Sequence, residues 1–278
     1  MTAMQEEVLN APRSLGLARI GFAVAVILAS VIFGAWLLLT PGGLLGKADA
    51  IGYAVCHRID LRSFHLGERA LPLCARCSGT YLGVLVAVGS LIALGRGRSG
   101  NFPRWPILAL FGLFGLIFAV DGLNSYLHFF PGAPHLYAPS NTLRLISGML
   151  LGLGMGVMVY TGFNQAVWRD WLPQPALRRW REVAVLLAAA AGMVLLVLWE
   201  NPLVLYPLAI ASALSVLGLL AAVYTVMAVI VLRRENRARG WRDLALPGLM
   251  GFSLALAQIA AIDWIRFAAT QTWNGFVL

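Results

Sequence analysis

The sequence predicts an all-α integral membrane protein: a bundle of about seven transmembrane helices with a Cys/His-containing extracytoplasmic loop. Three observations predict it. Hydrophobic residues make up 60% of the 278 residues and charged ones 12%, against about a quarter charged in an ordinary soluble chain. The apolar residues gather in seven runs that reach or approach the ~18 residues needed to cross a bilayer. Nothing alternates like a barrel strand, and an unpaired backbone group in lipid is costly, so helix is the conformation these runs take.

The first run, 20–39, is longer than the apolar stretch of about 7–15 residues in a cleaved signal. Acidic Glu6 and Glu7 precede it, so it is expected to be retained as a span. The second and third runs are 78–95 and 105–124, the third containing Asp121. The fourth, fifth and sixth are 145–168, 183–199 and 202–232. The sixth begins with Pro202 and Pro207, which predicts that its first turns lie at the membrane interface. The seventh is 244–262. With no repeat and no linker, residues 1–278 read as a single transmembrane domain, with 40–77 as the Cys/His loop.

Orientation follows the basic residues. The net charge is +9, almost all of it from arginine, in short blocks between apolar runs. That pattern reads as membrane anchoring, and nucleic acid is not expected as a partner. One set of loops holds Arg13, Arg19, Arg96, Arg98, Arg104, Arg169, Arg178, Arg179 and Arg181. It also holds Arg233, Arg234, Arg237, Arg239 and Arg242. The opposite set holds only Lys47, Arg58, Arg62, Arg69, Arg76, Arg144 and Arg266. The positive-inside rule therefore predicts a cytoplasmic amino terminus and an extracytoplasmic carboxyl terminus.

With seven spans, one side collects the chemistry. It receives Cys56, Cys74 and Cys77, all four histidines (His57, His65, His128, His135), and the span-end acids Asp121, Glu200 and Asp263. Polar groups tolerated at helix ends account for Glu200, and for Asp263 with Arg266 as a pair at three-residue spacing. They do not account for the one-sided histidines and cysteines. Asp121 lies inside an apolar helix, where an ionisable group is costly and is usually functional or paired. Arg144, opening the next span, is its expected partner.

Cys74 and Cys77 bracket "AR", a spacing that lets two thiolates meet one metal ion or close a short disulfide. Cys56, with His57 or His65, could complete a tetrahedral zinc site. An extracytoplasmic location favours a disulfide instead, and Arg76 between the two thiols suits redox exchange. All three readings stand at this point. "CARCS" lacks the histidine of a c-type haem attachment. Arg58, Arg62, Arg69 and Arg76 outnumber Asp60 and Glu68 nearby. Guanidinium forks suit phosphate oxygens, while outer-leaflet headgroups offer a plainer pairing.

"SGTYLG" sets Gly79 and Gly83 four apart, and "SGMLLGLGMG" puts Gly148, Gly152 and Gly156 on one face. Such spacing lets helices approach closely in lipid, and it predicts tight packing of the second span on the fourth. The strings "CHR", "RSF" and "LPLCARCSGTYLG", then "DGLNSYL" and "APSNTLRLISGMLLG", resemble an uncharacterised family of prokaryotic polytopic membrane proteins, domain of unknown function 2085. The resemblance runs over roughly residues 56–152. It implies residence in a prokaryotic cell membrane and importance for Cys56, His57, Arg62, Ser63, Cys74, Arg76, Cys77, Asp121, Asn124, Asn141 and Arg144. It departs at Leu61, where a glutamate is expected, and at Asn124, where glutamine is common.

The expected function is a membrane protein with an extracytoplasmic metal site, zinc held by Cys56, Cys74 and Cys77 with His57 or His65. A polar pocket of Arg62, Arg76, Asn124, Asn141, Arg144, Asp263 and Arg266 lies under it, acting on a lipid-linked or anionic, phosphate-bearing compound. Asp121 and Arg144 are the candidate catalytic pair. The alternatives are a membrane-complex subunit or assembly factor docking on a membrane-protein partner through a metal- or disulfide-stapled loop, a transporter, and a thiol oxidoreductase. The transporter reading lacks polar groups at mid-depth.

Overall fold

The computed structural model describes residues 3–130 and 132–276, with side chains from residue 20 onward. Arg13 and Arg19, counted above for orientation, lie outside the described side chains. The described residues form eight α-helices: α1 (Ala3–Leu39), α2 (Gly43–Val55), α3 (Ala75–Ala93), α4 (Trp105–Leu127), α5 (Asn141–Val167), α6 (Trp180–Leu198), α7 (Pro202–Val231) and α8 (Ala245–Thr270). All but α2 are long and apolar enough to cross a membrane. The chain is a seven-span integral membrane protein.

Span ends shift where local chemistry overrides hydropathy. Helix α5 starts at Asn141 because the Ser140 hydroxyl accepts from Leu143 N at 3.2 Å, capping the first turn. That draws Arg144 fully into the helix. Helix α8 continues past 262 to Thr270, so Asp263 and Arg266 sit within the span and not beyond it. Pro202 occupies the first turn of α7, where a missing N–H costs nothing, and Pro207 lies inside the same helix.

Helices α3 and α5 are the most extensively packed pair. The predicted glycine seam is the reason. A Cβ on Gly83 would come within 3.0 Å of Gly152 Cα, and one on Gly148 would collide with the Arg76 carbonyl and reach Thr80 N at 3.0 Å. Hydrophobic burial drives no association in lipid, so close backbone approach and dispersion hold this pair. Leu145, Met149, Leu153 and Val157 of α5, with Leu82, Ala87 and Leu91 of α3, are buried in the core that α4 and α6 complete.

The loop between the first two spans is not free in water. Helix α2 folds back along α7 and α8, and a second core of Trp36, Ile51, Cys56, Leu73, Cys74, Leu256 and Ile259 seals it. Beyond α2, a short antiparallel pair, β1 (His65–Leu66) with β2 (Arg69–Ala70), carries the chain to α3. At the opposite end, β3 (Ser99–Asn101) pairs in parallel with β4 (Leu172–Pro175). Both ladders lie outside the spans, so they do not disturb the all-helical reading of the bundle.

Candidate functional site

Two polar clusters flank the first turn of α3. The first is built from thiols. Cys74 is the N-cap of α3 and Cys77 lies one turn on, so the CxxC spacing aims both side chains at one side. Cys56 caps the C-terminus of α2 and meets them there. The three sulfur atoms all lie within 4.8 Å of one another, and all three cysteines are free thiols.

Backbone donors converge on Cys56 Sγ. Cys74 N donates at 3.3 Å and Arg58 N at 3.4 Å. Arg58 has φ 52°, a left-handed conformation uncommon for a non-glycine residue, and this turn brings its N–H back to the sulfur. Hydrogen bonds from the Cys74 and Cys77 thiols hold the Cys56 thiol well below its ordinary range, although burial opposes them. Cys74, donating to Cys56 and buried, is pushed up to about 12. The cluster presents the donor type that zinc and other soft ions select. Sulfurs on a tetrahedral zinc stand about 3.8 Å apart, from Zn–S bonds near 2.3 Å, which lies inside the 4.8 Å that bounds the three sulfurs.

The histidines separate. His57 Nδ1 is 3.6 Å from Cys56 Sγ, close enough for a side-chain rotation to bring it in as a fourth ligand. His65 stands apart, its Nε2 3.0 Å from Asp60 Oδ1 on the surface; the structure does not bring it to the thiols. His128 and His135 stack edge to face on each other at 5.0 Å in the α4–α5 loop.

The second cluster lies on the α4–α5 side of α3. Arg76 sits between the two cysteines in sequence but projects the other way. Its Nε donates to Asp121 Oδ2 at 3.0 Å, and its Nη2 reaches the same oxygen and Ser125 Oγ. Asp121 also accepts from the Tyr137 hydroxyl at 2.9 Å and the Ser147 hydroxyl at 3.0 Å. The expected Asp121–Arg144 pair is therefore corrected. The carboxylate on α4 binds Arg76, because α3 and α4 both pack on α5 and the long Arg76 side chain bridges them. Arg144 instead donates from Nη1 to Asn141 Oδ1 at 2.8 Å, and its buried Nε has no partner among the described residues.

Arg62 completes the cluster. It is 8% exposed, donates to Ser125 O at 2.9 Å and lies 3.7 Å over the Phe129 ring. Burial, then the charges of Arg144 and Arg76, lower its pKa to about 10. Asn141 Nδ2 ties the loop through Leu61 O and Ser63 O, each at 3.3 Å. Asn124 binds Leu136 N at 2.7 Å and Tyr137 O at 2.9 Å, fixing the α4–α5 loop over the cluster. Three guanidiniums thus gather near one carboxylate, and Arg76 alone contacts it. Ser125, Tyr137 and Ser147 were not singled out from sequence. Serine and tyrosine near span ends carry no signal until the helices are placed.

The predicted pocket divides in two, because Asp263 and Arg266 are not in this cluster. They sit on α8, on the thiol side of α3. Arg266 donates to the carbonyls of Tyr53 and Cys56, each at 2.6 Å, and of His57 at 3.3 Å. It therefore caps α2 and holds Cys56 in place. No ion pair joins it to Asp263 among the described residues. Asp49, another residue the sequence reading passed over, pairs with Arg58 at 2.8 Å and with Arg69, which anchors the loop to α2.

Residues 56–158 match the family model described as "Predicted membrane protein (DUF2085)", in agreement with the resemblance stated above. The matched segment runs from Cys56 into α5. It covers the three thiols and Arg62, Arg76, Asp121, Asn124, Asn141 and Arg144, and leaves out Asp263 and Arg266. No curated protein and no solved structure matches the chain.

Proposed function

We propose that this membrane protein holds a zinc ion at Cys56, Cys74 and Cys77. In this reading it receives a phosphate-bearing compound, lipid-linked or soluble, at the guanidinium cluster across α3. The observation that carries it is the convergence of three sulfurs within 4.8 Å, two of them from a CxxC pair at a helix start and the third supplied with two backbone N–H bonds. Such N–H donors stabilise thiolate charge and orient ligands, as groups around a metal's ligands do. Three thiolates leave a fourth position for His57, for water or for a bound compound. A closed site would be structural and an open one a Lewis acid.

The anion reading rests on charge. Of Arg62, Arg76 and Arg144, Arg76 alone contacts the Asp121 carboxylate, and among the described residues Arg144 Nε is buried without a partner. Buried charges are normally paired, so an anion would complete the set. Asp121 acts there as a positioning residue for Arg76. The arginine distribution supports placing this end of the bundle outside the cytoplasm, in a cell membrane.

Elemental analysis of protein purified without chelators tests the metal. One zinc per chain, lost in Cys74→Ser, is expected. Metal-free protein with three freely reactive thiols would refute it. Titration with a short-chain phosphatidic acid tests the anion site, with Arg144→Gln expected to weaken binding and equal binding in that variant refuting it. A second reading, a docking loop for a membrane-protein partner, is favoured by Leu61, which is 80% exposed beside the thiol loop. Copurification of one partner, lost in both Leu61→Arg and Cys74→Ser, would support that reading over the first.

A further inference from the structure

Between α1 and α8, at the cysteine end of the bundle, lies a groove of about 550 Å³ that neither site above uses. Its walls are apolar except at one level, where Trp36, Thr40, Asp263, Trp264, Phe267 and Trp273 meet. Asp263 is 3% exposed, and among the described residues neither carboxylate oxygen has a hydrogen-bond partner. Trp36 Nε1 is the indole donor beside that carboxylate, buried outside hydrogen-bond geometry among the described residues. Asp263 stands seven residues before the end of α8, about 10 Å below the helix terminus at 1.5 Å per residue.

The nearby cations are occupied elsewhere. Arg266 is spent on three carbonyls. Arg58 is bound to Asp49 and to Trp273 O at 2.9 Å. Lys47 Nζ, 5.7 Å from the Trp36 ring centroid at the groove's edge, is held by Thr40 O at 3.0 Å and Thr40 Oγ1 at 2.8 Å and makes no ion pair with Asp263 among the described residues. A carboxylate at this depth costs free energy until a cation or donors meet it. A hydroxyl would satisfy one oxygen and bring no charge. An ammonium brings both, and indole and phenyl faces around it attract cations further.

We propose that the α1–α8 groove binds a primary-ammonium phospholipid of the bilayer. Asp263 takes the ammonium among Trp36, Trp264, Phe267 and Trp273, and an acyl chain fills the apolar length of the groove. This site is independent of the zinc and the anion readings, and its test does not depend on either.

Native mass spectrometry of the full chain, titrated with phosphatidylethanolamine or phosphatidylglycerol of identical chains, tests it. The wild type is expected to hold the amine lipid about tenfold more tightly, the scale of one partly desolvated ion pair with aromatic faces. Asp263→Asn should bring the two lipids within about twofold of each other. Ala260→Phe fills the groove but keeps the carboxylate, and it should remove the preference as well. Melting temperatures verify that both variants are folded. Equal affinity for the two lipids in the wild type would overturn the proposal, and so would a preference that survives in either folded variant.

Discussion

Replacing Asp121 with asparagine should destabilise the bundle severely while leaving its shape nearly unchanged. The carboxylate accepts from Arg76 Nε and Nη2, from Tyr137 and from Ser147. Asparagine keeps one acceptor oxygen and replaces the other with an NH₂ group. If the oxygen stays toward Tyr137, the amide faces Arg76 donor to donor. Three guanidiniums would then share the interior with no carboxylate in contact. Removing one partner of a buried ion pair costs about 3–5 kcal/mol, and that is the expected loss. The assay is reversible unfolding in mixed micelles, run as a double-mutant cycle with Arg76→Gln. Because the residues touch, the cycle should show a coupling of about 1–3 kcal/mol. An Asp121→Asn protein within about 0.5 kcal/mol of wild type, the range of an uninvolved surface change, would refute the buried-cluster argument.

Gly152→Ala should cost about 1–3 kcal/mol by overpacking, because its Cβ would strike the Thr80 carbonyl and come within 3.0 Å of Gly83 Cα. A melting curve unchanged from wild type would contradict the close α3–α5 seam. Asn164 joins Ser99 O at 3.1 Å to Trp168 Nε1 at 3.0 Å in the core of the opposite end. Asn164→Ala should therefore lower stability by about 1–3 kcal/mol without altering the metal content, and loss of metal in that variant would contradict the separation of the two ends. Thiolates must be deprotonated to hold zinc, so lowering the pH should release it. A chromogenic chelator follows the release, and retention under acid that protonates thiols would contradict cysteine ligation.

The span count was legible because an apolar run in lipid has one available conformation, and each run is long enough to declare itself. Pairing was less legible. Asp121 and Arg144 stand at facing span ends in sequence, yet Arg76 takes the carboxylate because α3 and α4 both pack on α5 and its long side chain bridges them. Sequence gives the glycine seam but not the rotation of each helix within it. Helix α2 was missed for a related reason. Lys47 and Asp49 interrupt its hydropathy, and both are satisfied only by partners folded onto it, Thr40 for one and Arg58 with Arg69 for the other. The thiol site was readable from CxxC spacing. The separation of Asp263 from the arginine cluster was not, since membrane side alone cannot say which face of α3 a residue lies on.

Zinc-edge X-ray absorption on the purified protein tests the central claim most directly. Three sulfur neighbours at about 2.3 Å and one lighter atom at about 2.0–2.1 Å are predicted. A zinc ion with only nitrogen and oxygen neighbours, or no zinc in protein whose thiols are intact, would contradict it.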